Sequence, residues 1–173
     1  MQDKSHAQFP LIDGFQFAAT GQELRGRCAV SAFGRLHDAL SSHSGELHYR
    51  IVGTKDDMGR PALQVKVDGP LQLTCQRCLK PLAYALGLDA MLVLARTEAE
   101  IESQPVEPDG PDRVLGSREM AVGTLLEDEV LLAVPFAPRH QQCAAAEGGK
   151  GEAQASPFAD LRGLLNRDGR ARN

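Results

Sequence analysis

The sequence predicts an α+β domain: an antiparallel sheet filled by Leu and Val, one covering helix over 121–134, an acidic disordered loop and a flexible C-terminal tail. Three observations carry this. Runs between residues 24 and 96 alternate apolar and polar side chains with period two, as half-buried strands do. One later segment carries apolar residues at helical spacing. Residues 97–118 and 144–156 show neither period. Alternation alone leaves open whether the sheet stays open or curls into something barrel-like.

In chain order, Phe9 to Ile12 reads as an irregular arm or a first strand. Leu24 to Val30 alternates, placing Cys28 inward as a small core residue and Arg25 and Arg27 outward. Ser31 is placed to cap a short helix through Leu40, with Phe33, Leu36 and Leu40 on one stripe, and residues 41–45 read as a loop. Glu46 to Val52 is a strand with Leu47, Tyr49 and Ile51 inward. Gly53 to Gly59, with Asp56-Asp57, reads as a hairpin turn. Ala62 to Asp68 alternates most clearly, Gly69-Pro70 marks a kink or bulge, and Leu71 and Leu73 resume the pattern. Residues 82–96 then form a long return strand, so Cys75 to Cys78 lies at a hairpin tip.

Beyond it, 97–118 is acidic and broken by Pro105, Pro108, Gly110 and Pro111, a composition that cannot repay its ordering entropy. The helix over Ala121 to Val134 is expected to bury Val122, Leu125, Leu126, Val130 and Ala133. Glu129 falls on that face, with Glu127 and Asp128 outward. Pro135 and Pro138 end it. Residues 1–143 thus form one domain, 144–156 a linker, and 157–173 a short Pro-started helix with a basic tail of Arg167, Arg170 and Arg172.

With 173 residues, no Trp and 5% aromatics, the chain is long enough for one core, built from aliphatic side chains. The net charge of -4 argues against a general polyanion sponge. The charge is uneven, however: residues 1–96 hold 11 basic and 9 acidic side chains, and 97–173 hold 8 and 14. A basic balance in the first part is a weak pointer to a polyanionic partner. The first thirty residues lack the charged start and apolar run of a secretory signal, and no eighteen-residue apolar stretch exists, so the expectation is a soluble cytoplasmic protein with reduced thiols.

Cys75-Gln76-Arg77-Cys78 sets two thiols three residues apart, and His140 and Cys143 repeat that spacing. Together, Cys75, Cys78, His140 and Cys143 are the inventory of a four-coordinate Cys3His zinc site, which would be structural because it leaves no ligand position open. Two alternatives stay open, unmetallated turn cysteines and a thiol redox pair. The redox version prefers a helix N-terminus in a βαβ unit, and here the pair lies between two strands.

The Cys-Gln-Arg-Cys-Leu-Lys-Pro run at 75–81 stands with Leu126-Glu127-Asp128-Glu129, which leads through Pro135 and Pro138 to His140 and Cys143. A terminal Pro157-Phe158-Ala159-x-Leu161 follows. Together they resemble the YceD family, from about Phe9 to Leu165. The resemblance implies a non-catalytic ribosome-biogenesis role in accumulation of large-subunit (23S) rRNA, with ribosomal RNA or precursor particles as partner. A ribosomal protein or processing factor would serve equally. A zinc-stabilised adaptor unconnected with ribosomes is the alternative.

For RNA, the candidates are the outward strand cations Arg25, Arg27, Arg50 and Lys66, with Arg77 and Lys80 at the tip. These faces carry no stacking aromatics, which disfavours base readout of the RNA-recognition-motif kind. Arg77 has a second option, a bidentate pair with Glu129 that would satisfy a buried acid. The other arrangement leaves Glu129 at a solvent edge and Arg77 free for a phosphate. Enzyme signatures are missing: no Walker loop, no Gly-x-Ser-x-Gly elbow and no His-Glu-x-x-His. The scattered His6, His37, His43 and His48 read as surface residues. The expectation is neither an enzyme nor a binder of small-molecule substrates or membranes.

Overall fold

The computed structural model describes residues 9–103 and 110–143. Five strands form one path, β2 (Glu23–Ala29), β4 (Glu46–Lys55), β5 (Pro61–Thr74), β6 (Pro81–Ala95) and β7 (Asp112–Leu115), in the spatial order β2-β4-β5-β6-β7. All neighbours are antiparallel except β6 and β7. The sheet remains open, with β2 and β7 as its ends, so the barrel-like variant is not adopted.

The long β5–β6 hairpin keeps one register, from Ala62 opposite Val93 to Thr74 opposite Pro81. Its inner face presents Leu63, Val65, Val67, Leu71 and Leu73 to the core, as the alternation predicts. Gly69-Pro70 interrupts nothing on the β6 side. On the other side, β5 is paired with β4 up to Asp68 and with the short β3 (Leu40–Ser42) from Gln72 onward. Pro70, which has no N–H to donate, occupies the gap between these two partners. Gly69 has φ +147, and an added Cβ would sit 2.8 Å from the Glu46 carbonyl oxygen, so the switch of partner requires glycine.

Helix α1 (Gly14–Thr20) lies across β4 and β5. Asp13 caps it by accepting from the Gln16 N–H at 3.0 Å, and Gly21 ends it in the left-handed conformation. The crossing is so close that a Cβ on Gly53 would fall 2.0 Å from the Phe17 carbonyl oxygen. Just before α1, β1 (Leu11–Ile12) pairs with β8 (Met120–Ala121), which leads straight into α3 (Val122–Ala133). Val134 caps α3 in extended conformation, as a residue preceding proline must. Helix α3 packs on β5 and β6 and on the 3-10 helix Gly34–Ala39. One core unites Phe17, Phe33, Leu36, Leu47, Ile51, Leu92, Leu126 and their neighbours, with Cys28 buried in it as expected.

Three expectations are corrected. Residues 32–40, expected to be an α-helix, instead form the 3-10 helices Val30–Ala32 and Gly34–Ala39, and the expected loop at 41–45 begins with strand β3. The supposed structureless acidic loop holds α2 (Glu98–Glu102) and β7, whose parallel pairing with β6 is reached by a helical crossover. Val114 of β7 packs against the core, a gain that composition cannot register. Finally, Glu127 is not outward: it is 1% exposed. Arg35 N–H donates to its Oε1 at 2.7 Å and Arg35 Nε to its Oε2 at 2.8 Å, so α3 buries a second side against the 3-10 segment. Residues 104–109, the predicted linker and the C-terminal helix with its tail lie outside the described residues.

Candidate metal centre

Strands β5 and β6 end at Thr74 and Pro81, and the turn between them is held by its own backbone. Cys75 N–H donates to the Lys80 carbonyl at 3.0 Å, and Leu79 N–H donates to the Cys75 carbonyl at 2.9 Å. Closing so tight a turn places Leu79 at φ 59, the left-handed region that a branched side chain rarely adopts. The result projects the Cys75 and Cys78 sulfurs to one side.

The segment leaving α3 meets that side. Tyr84 Oη donates to the Ala133 carbonyl at 3.3 Å, and Gln76 N–H donates to the Pro138 carbonyl at 2.8 Å. These two bonds fix Pro135 to Pro138 along the hairpin and bring His140 and Cys143 over the turn. One ligand atom from each of Cys75, Cys78, His140 and Cys143 lies within 4.8 Å of all the others. Cys75 Sγ is 3.9 Å from Cys143 Sγ, and Cys78 Sγ is 3.4 Å from His140 Nδ1. A tetrahedral ion at ordinary Zn–S and Zn–N lengths requires about 3.8 Å and about 3.6 Å for such pairs.

The imidazole is already set for ligation. His140 Nε2 lies 3.0 Å from the Pro81 carbonyl oxygen, which can only accept, so the ring proton sits on Nε2 and the Nδ1 lone pair faces the Cys78 sulfur, free to accept or to ligate. Electrostatics point the same way. Burial pushes the Cys75 thiol up, but hydrogen bonds from the Cys78, His140 and Arg77 backbone and from the Cys78 side chain bring it down to about 5. Burial raises Cys143, and so do its hydrogen bonds with the Cys75 and Cys78 sulfurs and, after them, electrostatic repulsion. The four groups could hold a metal ion, whose charge would relieve that repulsion.

The other predicted site residues distribute differently. Arg77 and Lys80 are exposed on the turn. Glu129 is buried on α3, and among the described residues no ion pair joins it to Arg77, whereas Glu127, also buried on α3, meets Arg35. Burial, and then Asp112 and Asp128, push the Glu129 carboxyl up to about 7. Arg25, Arg27, Arg50 and Lys66 do share the outer sheet face, where each has a carboxylate. Arg25 and Arg50 both grip Glu23, Arg50 at 2.6 Å, while Arg27 meets Glu46 at 3.3 Å and Lys66 meets Asp89 at 2.7 Å. The Arg50 and Arg25 hydrogen bonds hold the Glu23 carboxyl down to about 2. Alternation places the cations on this face but gives no sign that carboxylates neutralise them. Sequence reasoning also missed Arg139, exposed beside His140 in a stretch with no acid.

The family model of the large ribosomal RNA subunit accumulation protein YceD matches residues 63–165, more than half of the chain. The chain belongs to the YceD family. The match begins in β5, later than the resemblance from Phe9, and takes in all four Cys and His residues of the centre. None of the curated proteins and none of the solved structures matches the chain. Among the described residues, no helix is long and apolar enough to cross a membrane.

Proposed function

We propose that this YceD-family chain is a non-catalytic, cytoplasmic ribosome-biogenesis factor supporting accumulation of 23S large-subunit rRNA. It acts on that RNA or its precursor particles, alone or with a ribosomal protein or processing factor. The family match carries the biological part of this reading. Its physical part is that Cys75, Cys78, His140 and Cys143 bind one structural Zn2+. The two sulfur-containing distances and the proton on His140 Nε2 support zinc over a redox pair.

A zinc ion there would be closed by its four protein ligands, with no open position for a substrate. What the chain does is positional. Cys75 and Cys78 belong to the hairpin tip and His140 and Cys143 to the segment after α3, so a shared ion would tie these two pieces into one surface. Binding on the order of 10 kcal/mol is typical of such sites and is more than enough to order a short turn and tail.

The test is sedimentation of the tagged full-length chain through a gradient, with 23S rRNA measured in cells lacking it. Co-migration with large-subunit precursors and a selective fall in 23S rRNA are expected. Protein confined to the top of the gradient, with normal 23S levels, would sink the reading.

A further inference from the structure

We infer that the metal knuckle, through Arg77, Lys80 and Arg139 and the exposed Phe136 of the same 135–143 segment, is a contact site for the phosphate backbone and an unpaired base of large-subunit rRNA, and that the sheet face is not. The inference rests on the ribosomal reading above and narrows it to one surface.

The two surfaces differ in how their cations are used. On the sheet face, Arg25, Arg27, Arg50 and Lys66 stand against Glu23, Glu46, Asp68 and Asp89, four charges against four. His48 sits between Glu46 and Asp68, at 3.6 Å from each. A phosphate arriving there meets no net field and must displace a carboxylate.

At the knuckle, segments 75–81 and 135–143 contain no Asp or Glu at all. Arg77, Lys80 and Arg139 are exposed, and among the described residues none is bonded to a carboxylate. Their backbones converge: Gln76 is bonded to Pro138, on one side of Arg139, while His140, on its other side, touches Cys78 and Pro81. A zinc ion with three thiolates and a neutral imidazole carries one net negative charge, which three cations outweigh. Phe136 is fully exposed two residues before Pro138. An exposed ring three residues before Arg139 in the chain offers a face on which a splayed base can stack while the cations hold its backbone. Such a ring favours RNA because every unpaired base offers it a π-face, whatever the sequence.

The test measures affinity of the zinc-loaded full chain for a large-subunit rRNA fragment containing unpaired loops, across salt concentrations. The wild type is compared with Arg77→Gln/Lys80→Gln/Arg139→Gln, with Phe136→Ala and with the sheet-face variant Arg27→Gln/Lys66→Gln. Removing one cation from a phosphate lowers the log–log salt slope by about 0.7–0.9. The knuckle triple variant is therefore expected to fall by about two units of slope and to surrender most of its affinity at physiological salt. Phe136→Ala should bind roughly tenfold more weakly at unchanged slope, and the sheet-face variant should bind as wild type. Zinc content and melting of each variant, measured in parallel, separate weakened binding from a damaged fold, since none of these residues is a ligand. Charge reversal of Lys80 alone (Lys80→Glu) serves should the triple variant fail to fold.

Equal weakening by the sheet-face variant, or no weakening by the knuckle variants, overturns the inference. So does wild-type protein that binds no RNA yet sediments with precursors through the knuckle, which would assign the surface to a protein and leave the biogenesis reading standing. Protein that binds the fragment through the knuckle but never sediments with precursors has the opposite meaning: the contact holds and the biogenesis reading fails.

Discussion

Arg35 and Glu127, 92 residues apart in the chain, close a two-pronged bond in which the Arg35 backbone N–H and guanidinium Nε each donate to one oxygen of a carboxylate that is 1% exposed. A further 2.7 Å contact joins the same guanidinium to Asp128. The cluster docks α3, and so the route to His140, onto the 3-10 segment Gly34–Ala39.

Removing the arginine side chain takes a charged donor from the acid and leaves the backbone N–H bond in place. Arg35→Ala should destabilise by about 1–3 kcal/mol in urea unfolding, because a nearly inaccessible carboxylate loses a guanidinium donor while the backbone N–H at that position stays bonded to it. Glu127→Gln, which keeps an acceptor for the Arg35 N–H, should cost about half as much. An effect near zero for Arg35→Ala would mean that water reaches Glu127.

Chelation tests the centre. Native mass spectrometry should find one zinc per chain in wild type and none in His140→Ala. Stripping zinc should lower Tm by roughly 10 °C or more, at about 2–4 °C per kcal/mol for a chain of this size. The Gln76 amide, bonded to the Pro138 carbonyl at 2.8 Å, should lose its hydrogen-exchange protection as the segment detaches. Unchanged melting in clean apoprotein would remove the zinc.

Glu129 sets a pH dependence. Its folded pKa, about 7, lies above its ordinary value of 4.5, because burial and then Asp112 and Asp128 disfavour the charge. The folded state therefore binds the proton more tightly. Stability from this group is greatest below pH 4.5, is lost as pH rises towards 7, and is flat beyond it. Glu129→Gln should stabilise the protein by on the order of 2–3 kcal/mol at pH 8 and flatten the profile between those limits. A profile identical to wild type would place the carboxylate in contact with solvent.

Leu79 sits at φ 59 with its side chain exposed, so its conformation costs energy without compensating burial. Leu79→Gly should stabilise by about 0–1 kcal/mol, strain relief of about 1–2 kcal/mol partly offset by glycine's unfolded-state entropy. Leu79→Val should destabilise, since β-branching tolerates this region worst. Chemical denaturation of the zinc-loaded variants decides it, and a glycine variant that loses stability would mean the side chain packs after all.

The sequence by itself determined the long strands and the two Cys/His pairs that the fold brings together. Period-two alternation places Val65 and Val67 inward without reference to anything distant, and a Cys-x-x-Cys between two such strands falls at a hairpin tip. Helix α1 escaped that reading: Asp13 and Gly21 are the punctuation of a helix, but seven residues between them are too few to show a periodic stripe. Tertiary structure alone decided the rest. Which side of α3 is buried depends on Arg35 arriving from far away, and a helix wheel knows only one apolar face. Strand β7 gains its ladder only once β6 is in place beside it. Whether an outward arginine is free or neutralised depends on which acid the neighbouring strand sets within reach, because charge balance on a sheet is a property of register across strands, whereas alternation is a property of one strand.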